Sequence, residues 1–183
     1  LLGTGPGPNR PTVGRLNPFL DLIVRDFREF FTGVFYTRTA KYPLGRDIKS
    51  MLAFLTADML GARETAGLTS ATSRLFCIGC HLDASHIEHL DLTQWPLRTH
   101  TDHIQHARAW KDAETVQDQM KLAEQYGIRF TSLLDLEYWK VVRYVTTEPM
   151  HALGLDVIPR HVRVLLGINL SGDGGDGSEP RVE

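Results

Sequence analysis

The stretch FCIGCHLDASHIEHL, Phe76 to Leu90, holds both cysteines of the chain and three of its eight histidines. A C-x-x-C places two thiolates on one turn at the separation that tetrahedral zinc requires, but it supplies only half a ligand set. Imidazoles that could complete it are His81, His86 and His89 nearby, His100, His103 and His106 further on, and His151 and His161 near the end. The same spacing serves a redox pair when it opens a helix after a strand. CIGCHLDASH has a Gly between the cysteines and no clear helix after them, which disfavours that role. Two ordinary buried thiols are the remaining reading. Asp58 closes the apolar run IKSMLAFLTA. A carboxylate at the C-terminal end of a strand projects into the crevice where α/β proteins bind ligands, and it can hold a divalent cation through oxygen. It also suits an N-cap for MLGARETAG. In TTEPMHALGL, Glu148 and His151 stand three apart where a strand passes into a helix, which suits metal binding or acid–base work, or merely a capped helix.

These groups need elements to position them. LNPFLDLIVRDFREFF reads as an amphipathic helix with Asn17 as N-cap, Pro18 at its first position, and Phe19, Leu20, Ile23, Phe27, Phe30 and Phe31 on one face. VFYTRT and IKSMLAFLTA read as two strands of a hairpin spanning Val34 to Ala57, with Asp58 at its end. MLGARETAG is a helix stopped by Gly67. From Thr99 to Tyr126 the pattern is a long polar helix, open to a break, with Ile104, Ala107, Trp110, Val116, Met120 and Leu122 inward and Gly127 as its stop. This segment is expected to stand off the sheet. SLLDLEYW reads as a short helix, VVRYVTT as a strand, and PMHALGLDVIPRHVRVLLG as a last helix that Pro159 kinks or divides. The order is that of an α/β fold around a small mixed sheet.

Length and composition bound the rest. With 183 residues, 42% hydrophobic and 23% charged, the chain suits one globular domain. A net charge of −2 gives no global case for nucleic-acid binding, though a local basic patch is compatible with it. No run is long enough for a membrane span, and two cysteines make no secreted disulfide framework, so an intracellular, reducing compartment is expected. Residues 1–15 read as a loop, 16–170 as the folded unit and 171–183 as a disordered Gly/acidic tail, so the chain reads as an internal segment.

Six blocks in order, RTAKYPLGR, LTADMLGARETAGLTS, FCIGC, WPLRTHTDHIQHARAWKDA, YGIRFTSLLDLEYW and PMHALGLDVIPRHVRVLLGINL, resemble the transposases of En/Spm (CACTA) elements, fungal branch, over nearly the whole chain. The resemblance implies part of a DDE-type, ribonuclease-H-like core with a helical insertion, acting on DNA in the nucleus. The intact family cuts and joins strands with Mg²⁺ or Mn²⁺ held by three carboxylates. Asp58 matches the second of these, and Glu148 is the candidate for another. Cys77 and Cys80 match the C-x-x-C of a structural zinc site, with His151 as third ligand and His161 as fourth. Ten residues separate those histidines, about 15 Å on a straight helix, so Pro159 must redirect the chain, or His81 or His103 serves instead. The family's first carboxylate lies upstream of the GPGP loop and its third beyond the last helix. Related sequences read D-x-M-H-N-L-x-L-G where this chain has Glu148, Ala152 and Asp156.

With one matched carboxylate out of three, catalysis is not expected of this chain alone. An alternative is a zinc-stabilised interaction module derived from a transposase. A small hydrolase built on Asp58, Glu148 and His151 would need all three in one pocket. Oligomerisation is compatible with either main reading, and no small-molecule substrate is expected.

Overall fold

The computed structural model describes residues 13–167. The expected tail and most of the expected N-terminal loop lie outside them. Helix α1 runs Val13–Thr32 and carries Pro18 inside it. It therefore begins before Asn17, and Val13–Arg15 are helical instead of loop. Pro18 leaves unmade the ladder bond that residue 18 would donate to Gly14, near the start of the helix. Asn17 is not a cap: its side chain donates to the Phe130 carbonyl at 3.3 Å and accepts the Ser132 N–H at 3.0 Å, pinning α1 to a distant loop. Leu20 and Val24 are buried and Ile23 and Phe27 pack beside them, whereas Phe19 and Phe31 are exposed.

The expected hairpin divides into two separate pairings. Strand β1 (Val34–Tyr36) pairs antiparallel with β2 (Arg46–Ile48), Phe35 facing Asp47. Strand β3 (Leu55–Ala57) leaves that sheet and pairs parallel with β4 (Val145–Thr147), Leu55 facing Val145 and Ala57 facing Thr147. The run from Ile48 to Ala57 is thus not one strand. Between β2 and β3 its backbone turns away, and the Leu52 N–H bonds the Tyr138 hydroxyl at 3.1 Å. Its apolar content suggests a largely buried strand, yet none of its residues is buried and Met51 and Phe54 are exposed, because apolar content carries no information about partner.

Helix α2 (Met59–Thr65) follows β3 directly, and Gly67 ends it at φ +75°. The long helical run from Thr99 to Tyr126, read as open to a break, is broken into α3 (His100–Lys111) and α4 (Val116–Tyr126). Each has a threonine cap: Thr99 accepts the Asp102 N–H and Thr115 the Asp118 N–H, both at 3.1 Å, and Gly127 closes α4 in the left-handed region. A second cap inside the run is what divides it. Far from standing off, α3 is built into the core: Ala107 and His103 are buried among the elements that enclose Trp139 and Val141. Val116 and Met120, expected inward, are exposed.

After a 3₁₀ turn at Ser132–Asp135, the expected strand VVRYVTT is helical in its first four residues, α5 (Val141–Tyr144), and only β4 is extended. Strand β4 leads into a π-helical segment, Met150–Val157, continuous with α6 (Ile158–Leu166). Pro159, in the first turn of α6, offers no N–H to the preceding turn, and the wider π register lies immediately before it. The whole is a mixed α/β arrangement with two small sheets. Its core joins α1, α2, α3 and the 128–145 segment.

Candidate functional site

Asp58 and Glu148 end up next to each other in the backbone scheme. β3 and β4 are parallel neighbours, Asp58 follows the last residue of β3, and Glu148 follows the last residue of β4. The Glu148 N–H continues the pairing by donating to the Ala57 carbonyl at 3.1 Å. Both carboxylates therefore stand at the C-terminal edge of the same two-stranded sheet, each opening a helix. Asp58 caps α2, its Oδ1 accepting the Gly61 N–H at 2.5 Å. A side chain at 61 would crowd that carboxylate, since a Cβ there would lie 2.8 Å from Oδ1. Glu148 caps the π-helical segment: its oxygens accept the Met150 N–H at 2.7 Å and the His151 N–H at 2.9 Å, and His151 Nδ1 lies 2.5 Å from Oε2. These bonds, the Met150 N–H foremost, hold the Glu148 carboxyl below its ordinary pKa. The capping roles weighed for both acids are realised, and they coexist with a shared edge facing solvent.

The cysteines form a knuckle fastened to the start of α3. Cys80 bridges Leu97, the His81 N–H donates to the Pro96 carbonyl at 2.7 Å, and the Arg98 N–H donates to the Gly79 carbonyl at 2.9 Å. The Arg98 side chain fills the knuckle from inside, Nε donating to the carbonyls of Cys77 and Cys80, both at 3.0 Å, and Nη1 to that of Tyr126 at 3.0 Å. Cys80 is buried and Cys77 half-buried, both as free thiols. Burial first, and the hydrogen bond its S–H donates to Cys77 second, push the Cys80 thiol up.

His103 lies one turn into α3, 1% exposed, and neither ring nitrogen has a hydrogen-bond partner among the described residues. Burial, aided by Arg98, His100, His106 and His81, lowers its pKa to about 3. His106 stacks on Tyr126, ring centroids 3.7 Å apart. His86 and His89 are exposed, and His161 lies on the exposed surface of α6. Among the described residues no three of His, Cys, Asp and Glu are gathered so as to hold a metal ion. The structure thus brings Cys77 to Cys80 and His151 to Glu148, and does not join the two pairs or bring His161 to either. As placed, Cys77, Cys80, His151 and His161 do not form a closed zinc ligand set.

Sequence reasoning passed over three arginines that organise this region. Arg63, Arg98 and Arg129 point into the fold, and each donates at least one N–H to a main-chain carbonyl. The signal for Arg63 was present: it falls on the inward stripe of MLGARETAG beside Ala62 and Ala66, where a charge is out of pattern. No described helix is long and apolar enough to cross a membrane. Comparison of the chain with protein-family models, with curated proteins and with solved structures gives no match.

Proposed function

We propose that this chain is the middle part of a cut-and-paste DNA transposase core of ribonuclease-H-like type, related to the En/Spm (CACTA) group, and inactive in strand cleavage as it stands. The observation that supports this reading is the parallel β3–β4 pair, which sets Asp58 and Glu148 at adjacent strand ends. Acids so placed are what a metal-dependent nuclease requires, because each cation must be held while charge develops on the phosphate. In the intact family the two cations activate the attacking oxygen and steady the leaving one. The acids present here fit less than that. Asp58 offers an exposed carboxylate with one bond to Gly61, while both oxygens of Glu148 are engaged by N–H groups. One hard cation with several waters is compatible with this pair; two are not. A nuclear location and DNA as partner belong to the same proposal.

The test is Mn²⁺ titration observed by NMR. Paramagnetic broadening should centre on residues around 58 and 148 and vanish in Asp58→Asn, which removes the charge but keeps the α2 cap, since Asn caps as well as Asp. DNA incubated with the protein and Mn²⁺ should be neither nicked nor joined. Broadening that survives Asp58→Asn would dispose of the carboxylate pair, and cleavage that disappears in Asp58→Ala would dispose of the inactivity.

A second reading, a zinc-stabilised interaction module of transposase origin, draws on the hydrogen-bonded thiols of Cys77 and Cys80 and on the exposed apolar C-terminal helix. Zinc bound to purified protein in near-equal amount, with both thiols protected from alkylation, would favour it. Absence of zinc together with two alkylatable thiols would end it.

A further inference from the structure

Arg63, which is buried, and Arg129, which is half-buried, line a cavity of about 810 Å³ between α2 and α4. Its floor is Leu68, which is 1% exposed. Its walls are largely apolar, with Trp110, Val116 and Met120 on the far side. This explains the exposure of Val116 and Met120: the apolar face of α4 looks across a trench toward α2 instead of closing on it. A trench of this size with apolar walls and a few polar groups is what small organic ligands occupy.

The polar groups in it are unusual. Arg63 is 3% exposed; its Nε donates to the Thr69 carbonyl at 2.7 Å and its Nη1 to the Phe76 carbonyl, but Nη2, itself buried, has no partner among the described residues. Arg129 donates through Nη2 to the Leu68 carbonyl at 2.6 Å, and its buried Nε is likewise without a partner. Carbonyl oxygens satisfy N–H groups but bring no countercharge; at Arg129 the charge of Glu64 partly offsets the cost of burial. Arg63 also feels Arg98 and Arg129, whose like charges, after burial itself, lower its pKa. One buried and one half-buried guanidinium, each with an unspent donor beside a cavity, suit an oxyanion, because a buried charge is tolerated when paired and hydrogen-bonded. Glu64 and Glu124 line the same cavity. Their charge excludes a polyanion such as a nucleic-acid backbone and limits the occupant to one small headgroup.

We propose that the trench between α2 and α4 binds a small amphipathic anion, a single phosphate monoester or carboxylate on an aromatic or apolar body. The headgroup meets Arg63 and Arg129, and the body lies on Leu68, Trp110 and Met120. This site is independent of the transposase reading and contrasts with the expectation of no small-molecule ligand.

Calorimetric titration of the full chain with 1-naphthyl phosphate, 1-naphthol and inorganic phosphate tests it. Naphthyl phosphate should bind more than tenfold tighter than either of the others, because only it uses both halves of the site. Arg129→Gln should weaken it more than tenfold. Met120→Glu should do the same without a folding defect, since Met120 is 68% exposed and the change only adds a negative charge at the trench. Lys121→Gln, on the same helix outside the trench, should leave binding unchanged. Equal binding of naphthol and naphthyl phosphate would overturn the proposal, as would indifference to Met120→Glu with circular dichroism unchanged. Binding that emerges only after removal of residues 1–12 would assign the trench to the chain's own N-terminal segment and overturn it equally.

Discussion

His103 shows how one side chain couples the interior to pH. Its pKa falls from the ordinary 6.5 to about 3 because the charged ring would be buried beside Arg98. In the unfolded chain it binds a proton below about pH 6.5, while in the folded chain it does so only near pH 3. Between those values the unfolded state holds the extra proton, so stability is complete above pH 6.5 and is lost as pH falls. The slope from one such group approaches about 1.4 kcal/mol per pH unit. His81, His100 and His106, all lowered chiefly by burial, act in the same direction. Urea unfolding of His103→Leu should show a shallower loss of stability from pH 6.5 to 4 than the parent, with stability at pH 7.5 equal or higher, since two unpartnered nitrogens are removed. An unchanged acid slope would place the titration elsewhere. At the knuckle, the raised Cys80 thiol holds less thiolate at neutral pH. Mass-resolved alkylation at pH 7.5 should therefore label Cys77 before Cys80; the reverse order would mean that the knuckle opens before it reacts.

At the scale of elements, the turn after α2 carries the tightest constraint. Gly67 adopts φ +75°, and a Cβ there would lie 2.4 Å from the Arg129 carbonyl oxygen. The Arg129 N–H in turn donates to the Gly67 carbonyl at 2.6 Å, so this turn fastens α2 to the 128–132 segment. Gly67→Ala combines a left-handed backbone with a collision against main chain that cannot rotate away. The expected cost is at least ~2 kcal/mol, measurable as a lower urea midpoint with unchanged slope. A variant as stable as the parent would show that the α2 turn and the 128–132 segment can separate freely. The same scale explains why α3 and α4 are two helices: Thr99 and Thr115 each accept an N–H and each bond an acid three residues on, so a second nucleus is written inside one polar run.

For the whole molecule, the outstanding feature among the described residues is exposed apolar surface. Leu153, Leu155, Ile158 and Leu165 are each more than half exposed along the π-helical segment and α6. An apolar patch of this kind drives association. Sedimentation should show mass rising with concentration, and Leu165→Glu should reduce that rise; a chain that stays monomeric at high concentration would show that the patch has no such effect.

The sequence by itself determined the local features: α1's inward stripe of Leu20, Ile23 and Phe27, the stops at Gly67 and Gly127, the last three residues of the strand before Glu148, and the candidacy of Asp58 at a strand end. Each rests on interactions within one turn or on the periodicity of a few residues, which composition encodes directly. Tertiary structure alone decided that β3 leaves β2 for β4, that Asn17 anchors a loop 113 residues away, that α3 enters the core, and that Val116 and Met120 face a trench. It also decided which imidazoles meet which donors. Spacing along the chain offered His151 and His161 to the cysteines, whereas burial placed His103 beside Arg98 at the knuckle and left His151 with Glu148. Those outcomes depend on which apolar faces find each other across the chain, and periodicity marks a face without naming its partner.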